Sequence, residues 1–168
     1  MSDDPNSPTA EVEAPPGARF AIVWSRFNRP VVQKLLDGAK ACFAEHGVSE
    51  DSIYVVEVPG AWELPYTAQK LARSERFDAI VALGAVIRGG TPHFEYVSEG
   101  TALGLVRAAL DTNVPIVFGV LTTDDDDQAL ARAGGAHGNK GRDAALTAIE
   151  MTLLDRKLAE DGITTKRP

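Results

Sequence analysis

The stretch "DAIVALGAVIRGGTPHFEYV" occupies positions 78–97, and its reading decides the fold. The first ten residues form an almost unbroken apolar run of strand length, as expected for a central parallel strand covered on both faces. The run breaks at Gly89-Gly90, and a Thr-Pro pair then opens a helical period in which Phe94, Val97, Thr101, Leu105 and Ala108 share one face. Thr91 is expected to cap this helix, with Pro92 as its first residue and His93 just inside it.

Working outward, "RFAIVWS" (19–25), "SIYVVEV" (52–58) and "PIVFGVLT" (115–122) read as three more strands, the last again an apolar run of the kind buried on both faces. Helical periods lie between them. Val32, Leu35, Leu36, Ala39 and Phe43 mark one face of a helix that Asn28 is expected to cap and Gly47 to close. Leu64, Ala68 and Leu71 mark a second, in which Pro65 is tolerable because it falls in the first turn. A fourth helix is predicted from about Asp124 to the Gly134-Gly135 pair, and a fifth from about Lys140 to Ala159. Strands alternating with helices imply a parallel sheet joined by right-handed crossovers. The expected fold is a flavodoxin-like three-layer αβα sandwich with a four-stranded parallel sheet. Residues 1–18 read as a disordered acidic, Pro-rich tail, 19–160 as one domain and 161–168 as a short C-terminal tail.

The chain has 168 residues, 44% hydrophobic and 24% charged, which suits one soluble globular domain. No apolar run approaches a membrane span, and the start of the chain lacks the basic and apolar regions of a secretory signal. The sole cysteine, Cys42, lies among apolar helix residues and reads as a small buried residue; with no export signal, a reducing cytoplasm is the expected location. A net charge of −7 without a basic cluster argues against a nucleic-acid surface. An anionic small molecule would need a local positive site.

Open parallel sheets bind ligands beyond the carboxyl ends of their strands, which directs attention to "SRFN" (25–28), "VPGAWE" (58–63), "IRGGTPH" (87–93) and "LTTDDDDQ" (121–128). Gly89, Gly90 and Thr91 precede a helix whose first amides are unpaired, so an oxyanion can approach closely; a plain strand-to-helix turn is the alternative. His93, within one turn of it, is placed either to move protons near neutral pH or simply to face solvent. Arg132 and Lys140 are ordinary surface cations taken singly and a local positive site taken together. Phe27 and Trp62 follow strands, where exposed aromatics can stack on a planar heterocycle, although core packing is the default. Glu63 offers an acceptor for hydroxyls. His46 reads as a cation at a helix C-terminus, and His137 has no evident partner. Three scattered histidines and one cysteine supply no metal-ligand spacing, and the "DDDD" run (124–127) reads as a helix cap rather than a magnesium site.

Taken together, "RFN" (26–28), "VPGAWELP" (58–65), "LGAVIRGGTPHFEYV" (83–97), "FGVLTT" (118–123), "QALARAG" (128–134) and "GNKG" (138–141) resemble, in order and in spacing, the signature blocks of the lumazine synthase family. The resemblance covers about Phe20 to Leu158. It implies condensation of 5-amino-6-(D-ribitylamino)uracil with 3,4-dihydroxy-2-butanone 4-phosphate to 6,7-dimethyl-8-ribityllumazine, phosphate and water, the penultimate step of riboflavin biosynthesis, with no metal or organic cofactor. By the same resemblance Phe27 stacks on the pyrimidine, Ala61, Trp62 and Glu63 hold the ribityl chain, and the backbone at Val86 and Ile87 meets the uracil edge. Gly90, Thr91 and Arg132 bind the phosphate, and His93 shuttles protons. Phe118, Arg132 and Lys140 are expected from an adjacent subunit, because the family's sites lie between subunits of a pentamer.

The short "GGAHGNKG" turn (134–141) looks like that of members forming icosahedral shells of sixty chains. Riboflavin synthase is a candidate partner; nucleic acid and membrane are not expected. The chain departs from the family pattern in two places. Ala136-His137 stands where a lysine is frequent, and Trp24 stands where the first strand has a smaller residue.

Overall fold

A computed structural model describes residues 12–164. Four parallel strands, β1 (Phe20–Ser25), β2 (Ile53–Val58), β3 (Ala79–Ile87) and β4 (Ile116–Thr123), form one sheet in the order β2-β1-β3-β4. The helices α1 (Arg29–Glu45), α2 (Leu64–Arg73), α3 (His93–Thr112), α4 (Asp126–Ala131) and α5 (Lys140–Glu160) complete the sandwich. Side chains alternate across a strand, so each strand feeds two cores. Phe20, Ile22, Trp24, Val81 and Leu83 pack with α1 and α5, whereas Ala21, Val23, Ile80 and Ala82 pack with α2 and α3. The three-layer α/β fold expected from the alternation is the one observed.

β3 is central, and its residues Ala79–Val86 are all buried. β4 is not: despite an equally apolar sequence it lies at the sheet edge, with Phe118 47% exposed. An apolar run reports that a strand wants cover on both faces, and cannot report whether the cover comes from its own chain.

Several local expectations shift for identifiable reasons. Asn28 does stand at the N-cap of α1, but in the left-handed region (φ 59°), and its side chain caps nothing; instead Nδ2 donates to the Ala85 carbonyl at 2.9 Å. α3 begins at His93, with Pro92 rather than Thr91 in the cap position and no side-chain cap. α4 ends at Ala131, short of the glycines, because Ala133–Gly135 (β5) turns back to pair antiparallel with Gly138–Asn139 (β6). The acidic run does cap α4: Asp125 accepts from the Gln128 amide at 2.8 Å.

His46 stands at the C-cap of α1, as its place in the sequence suggests, but it is buried, and its Nδ1 lies 2.5 Å from the Val12 carbonyl, so it also ties down the segment before β1. That segment, within the stretch read as a tail, also bonds through Ala14 N–H to the His46 carbonyl, and Arg156 donates to the Pro16 carbonyl. Residues 1–11 and 165–168, where most of the expected N-terminal tail and half of the C-terminal one fall, lie outside the described residues. Cys42 is buried, and burial pushes its thiol up to about 11. Trp24 is buried in the first core under the Arg29 guanidinium, 5.1 Å from its ring centroid. Among the described residues no helix is long and apolar enough to cross a membrane.

Candidate active site

The carboxyl ends of β1, β2 and β3 lie side by side, and the loops leaving them are braced to one another. Beyond the last residue of β1, the Arg26 amide donates to Val58 O at 2.8 Å and the Phe27 amide to Pro59 O at 3.0 Å, continuing the parallel pairing past the strand. Arg26 and Arg29 both pair with Glu57. On the other side Asn28 reaches Ala85, and the Arg88 amide donates to Thr123 O at 2.8 Å. The loop after β1 is therefore held by both neighbouring strands, which fixes where Phe27 starts from although its ring is 71% exposed.

After β2 the chain makes a 3-10 turn at Ala61–Glu63 before α2. The Gly60 amide donates to Glu63 Oε2 at 2.9 Å, and the Glu63 amide donates to Gly60 O at 3.2 Å, a reciprocal lock that orients the carboxylate. Thr101 on α3, buried, donates to Ala61 O at 3.2 Å. Trp62 lies across Gly100 of α3 so closely that any Cβ there would overlap the indole ring. One edge of Trp62 is seated on α3 while the side chain remains 59% exposed. No sequence periodicity announces Gly100 or Thr101 as site-building residues, because their partner is 38 and 40 positions away, at Trp62 and Ala61.

After β3 come Gly89, Gly90 and Thr91, all exposed, then His93 as the first residue of α3, also exposed. Neither glycine has a positive φ, and a Cβ built at either meets nothing within 4 Å. The turn therefore has no steric or conformational need for glycine. The backbone of the turn stands open at both positions. Val86 is buried and Ile87 half-buried at the mouth of the strand.

Arg132, Lys140 and Phe118 stand apart. Arg132 follows α4 and donates through Nη1 to Gln128 O at 3.0 Å; Lys140 opens α5, pairs with Asp143 at 3.1 Å and is joined to Arg132 by its amide. Phe118 pairs with Ala82, five residues before the carboxyl end of β4 at Thr123. Among the described residues no hydrogen bond or ion pair carries these three to the Gly89–His93 turn.

Two residues not singled out from the sequence also shape this end. Arg88 pairs with both Asp124 and Glu95; the Glu95 carboxyl is held below its usual range first by its own backbone amide and then by the guanidinium, and the Asp124 carboxyl by the guanidinium. Asn139 of "GNKG" accepts from the Gly141 and Arg142 amides and donates to Lys34 O at 2.9 Å, fastening the start of α5 to α1.

The chain matches the sequence model of 6,7-dimethyl-8-ribityllumazine synthase over residues 17–156. It is also 54% identical, over 142 residues, to a protein of Salinibacter ruber named 6,7-dimethyl-8-ribityllumazine synthase, covering 84% of this chain and 91% of that one. The matched region takes in all four strands, the braced loops and the open glycine turn. A chain with this sheet, these loops and this similarity across nearly its whole described length belongs to the 6,7-dimethyl-8-ribityllumazine synthase family, enzymes of riboflavin biosynthesis.

Proposed function

We propose that the loops beyond β1, β2 and β3 bind 5-amino-6-(D-ribitylamino)uracil and 3,4-dihydroxy-2-butanone 4-phosphate together and condense them to 6,7-dimethyl-8-ribityllumazine. The observation that carries this reading is the glycine turn. Gly89 and Gly90 serve no fold requirement, so their value lies in admitting a phosphate to the backbone at the start of α3. Gly90, Thr91 and Arg132 hold that phosphate. Phe27 stacks on the pyrimidine, the locked turn of Ala61, Trp62 and Glu63 takes the ribityl chain, and the backbone at Val86 and Ile87 meets the uracil edge. Glu63 suits its part: Oε2 is spent on Gly60, which aims the carboxylate, and Oε1 takes no hydrogen bond among the described residues.

The chemistry asks little of the protein beyond holding and proton transfer. The amine attacks the ketone and water leaves as the imine forms; phosphate departs from the four-carbon chain; ring closure then expels water. His93, one turn from the phosphate turn, accepts and returns protons in these steps. The amides and Arg132 stabilise the departing phosphate without covalent chemistry, and pairing two substrates in one site supplies much of the remaining rate.

The site is completed by a second copy of the chain, which brings Phe118, Arg132 and Lys140. Two surfaces support such an assembly. β4 leaves an apolar edge, and α3 exposes Tyr96, Leu103, Val106 and Leu110 along one face, an apolar stripe of the kind that marks interfaces. The assembly is a pentamer, twelve of which close into an icosahedral shell, in the cytoplasm, with riboflavin synthase as a candidate partner.

The test is to mix purified, size-fractionated protein with both substrates and follow product fluorescence. Product formation above the uncatalysed rate is expected in the assembled fraction; none in any fraction refutes the reading. Light scattering showing only a pentamer at neutral pH would remove the shell and leave the enzyme.

A further inference from the structure

Arg88 leaves β3 and engages two carboxylates at once. Nε donates to Asp124 Oδ1 at 2.8 Å, Nη1 pairs with Glu95, and the guanidinium lies 4.3 Å from the Phe94 ring centroid. Asp124 directly follows β4, and Glu95 lies in the first turn of α3, where its carboxylate also takes its own backbone amide. Residues from three borders of the glycine turn thus meet on one side chain. Arg88 and Glu95 are about half exposed and Asp124 more so, so the two pairs add little to stability.

What they change is the local field. The cluster holds two negative charges against one positive, beside a turn that must accept an anion. Glu95 is already at the positive end of α3 and competes for the amides that a phosphate would use. Two of the three Arg88 nitrogens are committed to carboxylates, which leaves the side chain a poor direct ligand for phosphate.

We propose that Arg88 is a positioning residue for phosphate recognition: it gathers the Glu95 and Asp124 carboxylates into one cluster and offsets their charge, keeping the α3 amides open to a phosphate monoester. The inference rests on placing the phosphate of the four-carbon substrate at the Gly90–Thr91 turn.

The test compares wild type, Arg88→Met and the triple variant Arg88→Met/Glu95→Gln/Asp124→Asn as full chains. The readouts are the Ki of inorganic phosphate as a competitive inhibitor, the KM of each substrate and the Tm. Arg88→Met is expected to raise the phosphate Ki and the KM of the phosphorylated substrate about five- to tenfold, an effect that shrinks with added potassium chloride. The KM of the uracil substrate and the Tm stay as in wild type. The triple variant returns phosphate Ki to within about twofold of wild type, because the uncompensated charges are gone. An unchanged Ki in Arg88→Met overturns the inference. So does a defect that the triple variant fails to relieve, or one accompanied by a loss of Tm, since either marks a structural role. Wild-type protein that forms no product refutes the proposed function instead, independently of the variants.

Discussion

Two glycine-bearing blocks, "IRGGTPH" at 87–93 and "GNKG" at 138–141, look alike in sequence and do opposite work. At Gly89 and Gly90 a Cβ would meet nothing, and the backbone stands open at the end of the sheet. At Gly141 a Cβ would overlap the Leu35 carbonyl, and at Gly38, facing the same seam, it would run into the Asn139 amide. The first pair leaves room for something outside the chain. The second lets α5 approach α1 closely enough for Asn139 to bond Lys34. A missing side chain therefore has one meaning where it faces solvent and another where it faces a helix backbone.

The contrast can be broken most sharply at Gly141. Gly141→Ala must push α5 off the α1 backbone, at a cost of about 3 kcal/mol or more, read as a lower midpoint in urea unfolding. A midpoint within error of wild type would mean that the seam is looser than described. Next in size is His93→Ala at the open block, where kcat is expected to fall about 100-fold while Tm and assembly stay unchanged. Unaltered kcat would remove the histidine from proton transfer.

Asn139→Ala comes third. It strips the α5 cap and its tie to Lys34, and should lower stability by about 1–2 kcal/mol with no change in the KM of either substrate once the protein is folded. A selective rise in KM would assign the residue to the site instead of the seam. Gly90→Ala gives the smallest expected effect and the most telling direction. Stability should hold or rise by up to about 1 kcal/mol, since the backbone there suits any residue. The KM of the phosphorylated substrate should rise about fivefold, because a methyl group then stands in the anion's approach. Lower stability with unchanged KM would return this turn to the fold.

Much of the fold was legible because it rests on local period. The apolar run at 78–87 and the helical faces of α1, α2 and α3 are written within ten to twenty residues, and the structure keeps them. What slipped were features settled by distant partners. Asn28 has the side chain of a cap, but Ala85, 57 residues away, claims it. His46 keeps its place at the end of α1, but its contact with Val12, 34 residues away, is invisible in the local pattern. The expected α4 runs to the glycines for a different, local reason: the close pairing of Ala133–Gly135 with Gly138–Asn139, which ends the helix early, leaves no periodic signal. β4 reads like β3, and nothing inside its eight residues tells an edge from a centre.

The candidate site divides the same way. Phe27, Trp62, Glu63, Gly90, Thr91 and His93 could be found by looking beyond strand ends, because parallel sheets gather those ends on one side. Gly100, Thr101 and Arg88 could not, since each matters through a contact made across the fold.

By itself, then, the sequence determined the alternation of strands and helices, the family and the loops worth inspecting, because periodicity and motif spacing are properties of neighbours along the chain. Only the tertiary structure decided which glycines are open and which are filled, which strand is the edge, and which side chains brace the site. Those depend on what lies within a few ångströms in space, and residues dozens of positions apart supply it.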